Sequence, residues 1–246
     1  MAHCRNLAEL QEKENHLKKM TMDYANEHGL EEGRLPIFDG ITNVELYSRA
    51  EVKILFVLKE AYEKEDNGEI GNGGWDHAAY LNDNDESIIY GVLTHDRVSK
   101  IASCILRNFS LEDYNNPTFS WDMALQDFHS VAWINVGKFP APCVTSTSDA
   151  RLNEAYNYWK PVLFRQIEAY DPDVIIFGNT FKVFHNDLEK EVALLDDQWP
   201  THTYRDKYGR LLLDAYHPSV RPMTVSEKDY IDSIIKAINT YGLRKR

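Results

Sequence analysis

Residues 159–180 read WKPVLFRQIEAYDPDVIIFGNT, and three structural signals follow one another in them. Trp159, Val162, Leu163 and Ile167 fall on one helical face with Tyr156, so the spacing predicts a helix from a Ser148 or Asp149 cap to about Tyr170. Pro161 inside it predicts a kink. Asp171-Pro172-Asp173 is a turn signal, and VIIF at 174–177 is an apolar run without alternation, as suits a strand covered on both faces. Gly178-Asn179-Thr180 then opens another helix. A doubly covered strand flanked by helices is the unit of an α/β fold.

The same pattern recurs on either side. VKILFVL at 52–58, VAWINV at 131–136 and LLLDAY at 211–216 are further strands of the buried type. Helical patterns occupy 85–108 and 121–128, and residues 224–241 carry an apolar face of Tyr230, Ile234, Ile235 and Ile238. Residues 5–28 place Leu7, Leu10, Leu17, Met20 and Tyr24 near helical spacing. The expectation is one domain: an α/β/α sandwich of three layers around a central four-stranded parallel sheet, in residues 46–246, with an N-terminal helical extension in residues 1–45. Residues 62–84, with NGEIGNGG before Trp75, read as a long solvated, mobile loop. Its glycines lack the lysine and spacing of a phosphate loop.

Bulk properties narrow the function. A chain of 246 residues with 43% hydrophobic content buries one sizeable core. Its 27 basic residues against 39 acidic ones give a net charge of −12, which repels polyanions unless cations gather on one face. Cys4, Cys104 and Cys143 are scattered, without disulfide or metal spacing, and read as inert. The first 20 residues hold no uninterrupted apolar stretch, and no segment approaches the roughly 20 apolar residues of a membrane span. A cytoplasmic location without membrane contact is the expectation, and oligomeric state is not legible.

Chemistry concentrates at the strand ends, where a parallel sheet binds its ligands. There stand Lys59-Glu60-Ala61-Tyr62, Asn135-Val136-Gly137-Lys138, Gly178-Asn179-Thr180 and His217-Pro218-Ser219. Asp214 and His217 have the spacing of a hydrolytic dyad, but no Gly-x-Ser-x-Gly turn supplies a nucleophile. The nine histidines form no His-Glu-x-x-His pair, so neither metal nor other cofactor is expected. Taken singly, Glu60 also reads as a strand-end carboxylate paired with a cation, Asn135 as a loop-bonding amide, and His217 as a structural imidazole.

In this order the four strings resemble the uracil-DNA glycosylase superfamily, most closely its thermophilic-type branch, over roughly residues 52–240. In that branch a Gly-Glu-Ala-Pro-Gly loop, Asn-Val-Val-Lys, a Gly-containing turn and a His-Pro loop end successive strands. The resemblance implies excision of uracil or a related base from DNA by N-glycosidic hydrolysis, with the base flipped into a pocket. It makes Asn135 the base reader, His217 the donor to the base oxygen that gains charge, and Glu60 the group that holds water and favours the cationic sugar. Lys59, Tyr62, Gly178, Asn179 and Ser219 would complete the substrate site, with Tyr62, Trp75 or Tyr80 stacking on the base. Lys138 and Arg221 would meet DNA phosphates.

Three departures stand out. Lys59 and Tyr62 replace a glycine and a proline of the first loop, so a long cation enters the pocket region. Phe139 and Trp159 stand where the branch has iron-sulfur cysteines, so no cluster is expected. Val220-Arg221-Pro222 is short for a DNA wedge. Two further readings stay open: a non-catalytic member binding a nucleobase, nucleotide or partner protein, and a hydrolase of small N-glycosides.

Overall fold

The computed structural model describes residues 7–63, 69–83, 87–141, 147–188, 192–221 and 223–244. In chain order these form α1 (Leu7–His28), β1 (Gly40–Ile41), α2 (Val44–Arg49), β2 (Ile54–Tyr62), α3 (His77–Leu81), α4 (Ser87–Tyr90), α5 (Leu93–Arg107), α6 (Leu111–Tyr114) and α7 (Trp121–His129). There follow β3 (Ala132–Ala141), α8 (Asp149–Tyr170), β4 (Val174–Gly178), α9 (Phe181–Leu188), β5 (Val192–Asp196), β6 (His202–Asp206), β7 (Leu211–Ala215) and α10 (Glu227–Tyr241). Helix α8 starts at a Ser148 cap and runs unbroken through Pro161, although that residue removes one backbone donor.

The sheet order is β1-β3-β2-β4-β7-β6-β5. Its centre, β3-β2-β4-β7, is parallel, as the four apolar runs predict. The whole is a mixed seven-stranded sheet, which corrects the expected four-stranded parallel one: β1 joins antiparallel to β3, and β6 and β5 extend the other edge antiparallel. These three strands escape sequence reading for a physical reason. β1 has two residues, β6 (HTYRD) is polar, and β5 carries only the short run Val192–Leu195, at the sheet edge and partly exposed.

Alternation along the central strands sends side chains to two cores. Phe56, Leu58, Trp133, Ile176 and Leu213 face α5, α7 and α10. Leu55, Val57, Ile134, Ile175 and Leu212 face α1, α8 and α9. Helices therefore cover both faces, and the mouth of the site opens at one end between them. No helix among the described residues is long and apolar enough to cross a membrane.

Within residues 7–45, the N-terminal segment packs on the rest of the chain. α1 buries Leu10, Leu17 and Ala25 in the same core as α8, and β1 is a sheet edge. Just before β1, the Asp39 side chain bonds to β3 and α8. Its Oδ2 accepts the Asn135 N–H at 2.8 Å, while Oδ1 accepts from Lys138 Nζ at 2.6 Å and from Gln166 Nε2 at 2.9 Å. Lys138 was expected to meet DNA, and here its side chain is fully buried against this carboxylate. Burial pushes the Lys138 ammonium below its ordinary value, and Asp39 opposes that shift.

The expected mobile loop is also revised where it is described. Glu63 accepts from the Gly73 N–H at 3.0 Å and the Trp75 indole at 2.8 Å, and residues 72–77 exchange backbone bonds with 35–38. Gly73 is required at its place: its φ is +69°, and a Cβ would lie 1.9 Å from the Leu35 carbonyl oxygen. Residues 64–68 lie outside the described part.

An ion pair this buried is costly to break from one side. Asp39→Ala lowers stability by about 3–5 kcal/mol in guanidinium unfolding at pH 7, and Asp39→Leu combined with Lys138→Met recovers most of it. A double variant as unstable as the single one contradicts the pairing.

Candidate functional site

A cavity of about 690 Å³ opens against the second half of β2, Trp133 and Asn135 of β3, and the loop after β7. Of the residues singled out in the sequence, Lys59, Glu60, Tyr62, Asn135, His217 and Ser219 all line it, as do Trp75 and Tyr80. Gly178 and Asn179 are not among the wall residues. They act behind the wall, since a Cβ on Gly178 would lie 2.4 Å from Leu58 Cδ2 and 3.5 Å from His217 Cα, so the glycine lets the His217 loop approach β2. Asn179 takes φ 58° and donates its N–H to the Ala215 carbonyl at 2.7 Å. Arg221 is exposed at the far end of the same loop.

His217 follows β7 directly. Its Nδ1 receives the Ser219 N–H at 3.2 Å and lies 2.8 Å from the Ser219 hydroxyl. A backbone N–H only donates, so Nδ1 is the unprotonated nitrogen and Nε2 carries the hydrogen. Burial lowers the pKa to about 4, with the nearby Lys59 charge adding to the effect. At neutral pH the ring is therefore an uncharged Nε2–H donor. Lys59 itself is half-buried, its pKa lowered by burial and by Lys182.

The loop carrying His217 is braced by Arg97, whose role the helical pattern over 85–108 does not reveal. Arg97 of α5 is buried, and its Nη1 donates to the carbonyls of Pro218 at 2.7 Å and Val220 at 2.6 Å. Nothing local in the sequence marks this contact, because it spans more than 120 positions.

Asn135 lies within β3, two residues after Trp133 on the same face. Its Oδ1 accepts from Trp133 Nε1 at 3.3 Å, and its N–H is held by Asp39. Glu60 sits opposite Gly137 in β2, its side chain only 3% exposed. Thr147 donates to its Oε1 at 2.6 Å and Arg151 Nε to its Oε2 at 3.1 Å. The carboxylate is thus ionically paired, though with Arg151 and not Lys59, and each oxygen keeps a lone pair.

The inner wall is aromatic. Trp75, His77, Tyr80, His95 and Trp133 form a connected group, with His77 stacked on Tyr80 at 6.3 Å and edge-on to Trp133 at 5.4 Å. Trp133 was within reach of sequence reading, being in period with Asn135 along a strand. His77 and His95 were not: α3 is five residues long, and the helical pattern over 85–108 does not show that His95 turns to the cavity. Burial lowers the His77 pKa to about 4 and lowers that of His95 as well.

Phe139 and Trp159 converge, with ring centroids 5.0 Å apart. They fill with two rings the place where the resembling branch holds thiolates, so the residues present do not fit a cluster there. No group of three or more His, Cys, Asp or Glu suited to a metal occurs among the described residues. No family model matches the chain, and no curated protein matches it.

The tautomer and pKa of His217 are directly measurable. Nitrogen-15 NMR is expected to find the ring in the Nε2–H form from pH 8 to 5 and titrating near 4, with Lys59→Met moving that titration upward. The folded-state value lies below the ordinary 6.5, so the folded protein binds fewer protons between the two and loses stability as pH falls from 6.5 toward 4. His217→Asn reduces that acid sensitivity. A ring titrating at 6.5 contradicts the burial described.

Proposed function

We propose that the cavity binds the base of a nucleoside or nucleotide unit and that the protein hydrolyses its N-glycosidic bond, in the manner of the uracil-DNA glycosylases that the sequence resembles. One observation carries this: Glu60, Asn135 and His217, from three separate strands or strand ends, line one aromatic-walled cavity. The aromatic wall takes the flat ring, and the fixed Asn135 amide reads its edge. His217 donates its Nε2–H to the oxygen that becomes anionic as the bond breaks. A neutral donor suits that role, because a preorganised dipole strengthens as charge develops without a permanent counter-charge in the ground state. Lys59 adds a positive charge at the same end of the cavity. Glu60, held by Thr147 and Arg151, faces the sugar side, where it stabilises the oxocarbenium-like carbon and orients water.

A second reading, hydrolysis of small N-glycosides, is favoured by the charge around the mouth. Arg151 pairs with Glu60 and Glu31, and Lys182 with Asp149, so these basic groups are already matched by carboxylates rather than free for a phosphate backbone. A volume of about 690 Å³ also holds a whole nucleoside.

Both readings meet one experiment. The protein is incubated with deoxyuridine, and with single-stranded and duplex oligonucleotides containing it, and free base and abasic sites are quantified. Base release from any of these is expected, and His217→Ala and Asn135→Ala each slow it by about 100-fold or more. Release from the nucleoside alone selects the second reading; no release from any substrate contradicts the proposal.

A further inference from the structure

Two hydrogen bonds fix what the inner end of the cavity offers to a ligand. An indole N–H can only donate, so the 3.3 Å contact from Trp133 Nε1 turns the oxygen of the Asn135 amide toward the indole and leaves the NH2 as the group it presents elsewhere. A carbonyl can only accept, so the 2.6 Å contact between His95 Nδ1 and the Ile88 oxygen places the His95 hydrogen on Nδ1. His95 is buried, which keeps the ring neutral, and its Nε2 is then a lone-pair acceptor. Both residues line the cavity and both flank Trp133, whose ring lies 5.5 Å from that of His95.

An independent sign of a polar ligand comes from the same wall. His77 is 7% exposed and lines the cavity, and its Nδ1 is buried without a hydrogen-bond partner among the described residues. Native proteins rarely leave such an atom unsatisfied. The rings of Trp75, His77 and Tyr80 meanwhile restrict the space to something flat.

We propose that His95 is the specificity-determining acceptor of this site, and that the cavity selects the lactam edge of a planar heterocycle, a ring carbonyl beside a ring N–H. Asn135 donates to the carbonyl oxygen, and His95 Nε2 accepts from the ring N–H. The carboxamide therefore does not read both groups alone; the two tasks are divided between β3 and α5. This assignment rests on the nucleobase reading above.

Binding, not turnover, tests it. The probes are 1-methyluracil, which carries the lactam edge, and 1,3-dimethyluracil, which lacks the N–H, titrated against the full chain with tryptophan fluorescence as readout. The wild-type protein binds 1-methyluracil about tenfold or more tightly than the dimethyl compound, because a buried acceptor left without its donor is penalised. His95→Phe keeps the ring and removes the acceptor, and it brings the two affinities within about twofold of each other. Asn135→Ala weakens both compounds alike. Circular dichroism and thermal unfolding verify that each variant is folded, and His95→Gln, which restores an acceptor, regains part of the preference. A His95→Phe protein that keeps the full preference overturns the proposal while base release by the wild type leaves the functional reading intact. A wild-type protein that binds neither compound and releases no base overturns both.

Discussion

The contact between Asp39 and Lys138 is the constraint on which the rest of the site depends. Two opposite charges removed from water are unfavourable unless every lone pair and proton finds a partner. Here the carboxylate receives the Asn135 N–H, the Lys138 ammonium and the Gln166 amide, and Lys138 also donates to the Asn135 carbonyl at 3.2 Å. Both backbone groups of Asn135 are thereby held by one ion pair. The same carboxylate immediately precedes β1 and ties the N-terminal segment to α8 through Gln166. A residue that must present an amide to a ligand is thus fixed by main chain, and its side chain is oriented separately by Trp133.

The opposite side of the cavity uses a different device for the same end. The His217 loop has no ladder to hold it, and the buried guanidinium of Arg97 takes two of its carbonyls instead. Gly178 allows the loop to lie close against β2. The imidazole then needs only the Ser219 N–H to settle its tautomer. Desolvation does the remaining work, holding the ring neutral where an exposed histidine would carry partial charge. Rigid backbone positions the groups, and burial tunes them.

How far this was legible in the sequence follows from what each feature leaves behind. Strands covered on both faces write themselves as apolar runs, so β2, β3, β4 and β7 were readable, and Glu60, Asn135 and His217 with them. Short or polar strands leave little signal, and β1 with two residues, β5 with a four-residue apolar run and the polar β6 were missed. Lys138 shows the limit most clearly. A lysine at a strand end reads as a surface cation, and only the distant Asp39, 99 positions away, makes it a core residue. Arg97, His77 and His95 were invisible for the same reason: their roles come from contacts between segments, which local spacing does not record. Glu63 and Gly73 likewise turn a stretch that reads as solvated loop into a held wall.

The central claim is that Asn135, His217 and the aromatic wall together make one base-binding cavity. A crystal structure of the protein with a bound deoxynucleoside, or with the free base, tests it most directly. The ring is expected against Trp75 and Tyr80, with a carbonyl oxygen within hydrogen-bond distance of the Asn135 amide and a second one facing His217 Nε2. A ring bound outside the cavity, or inside it with no polar edge toward Asn135 and His217, contradicts the account.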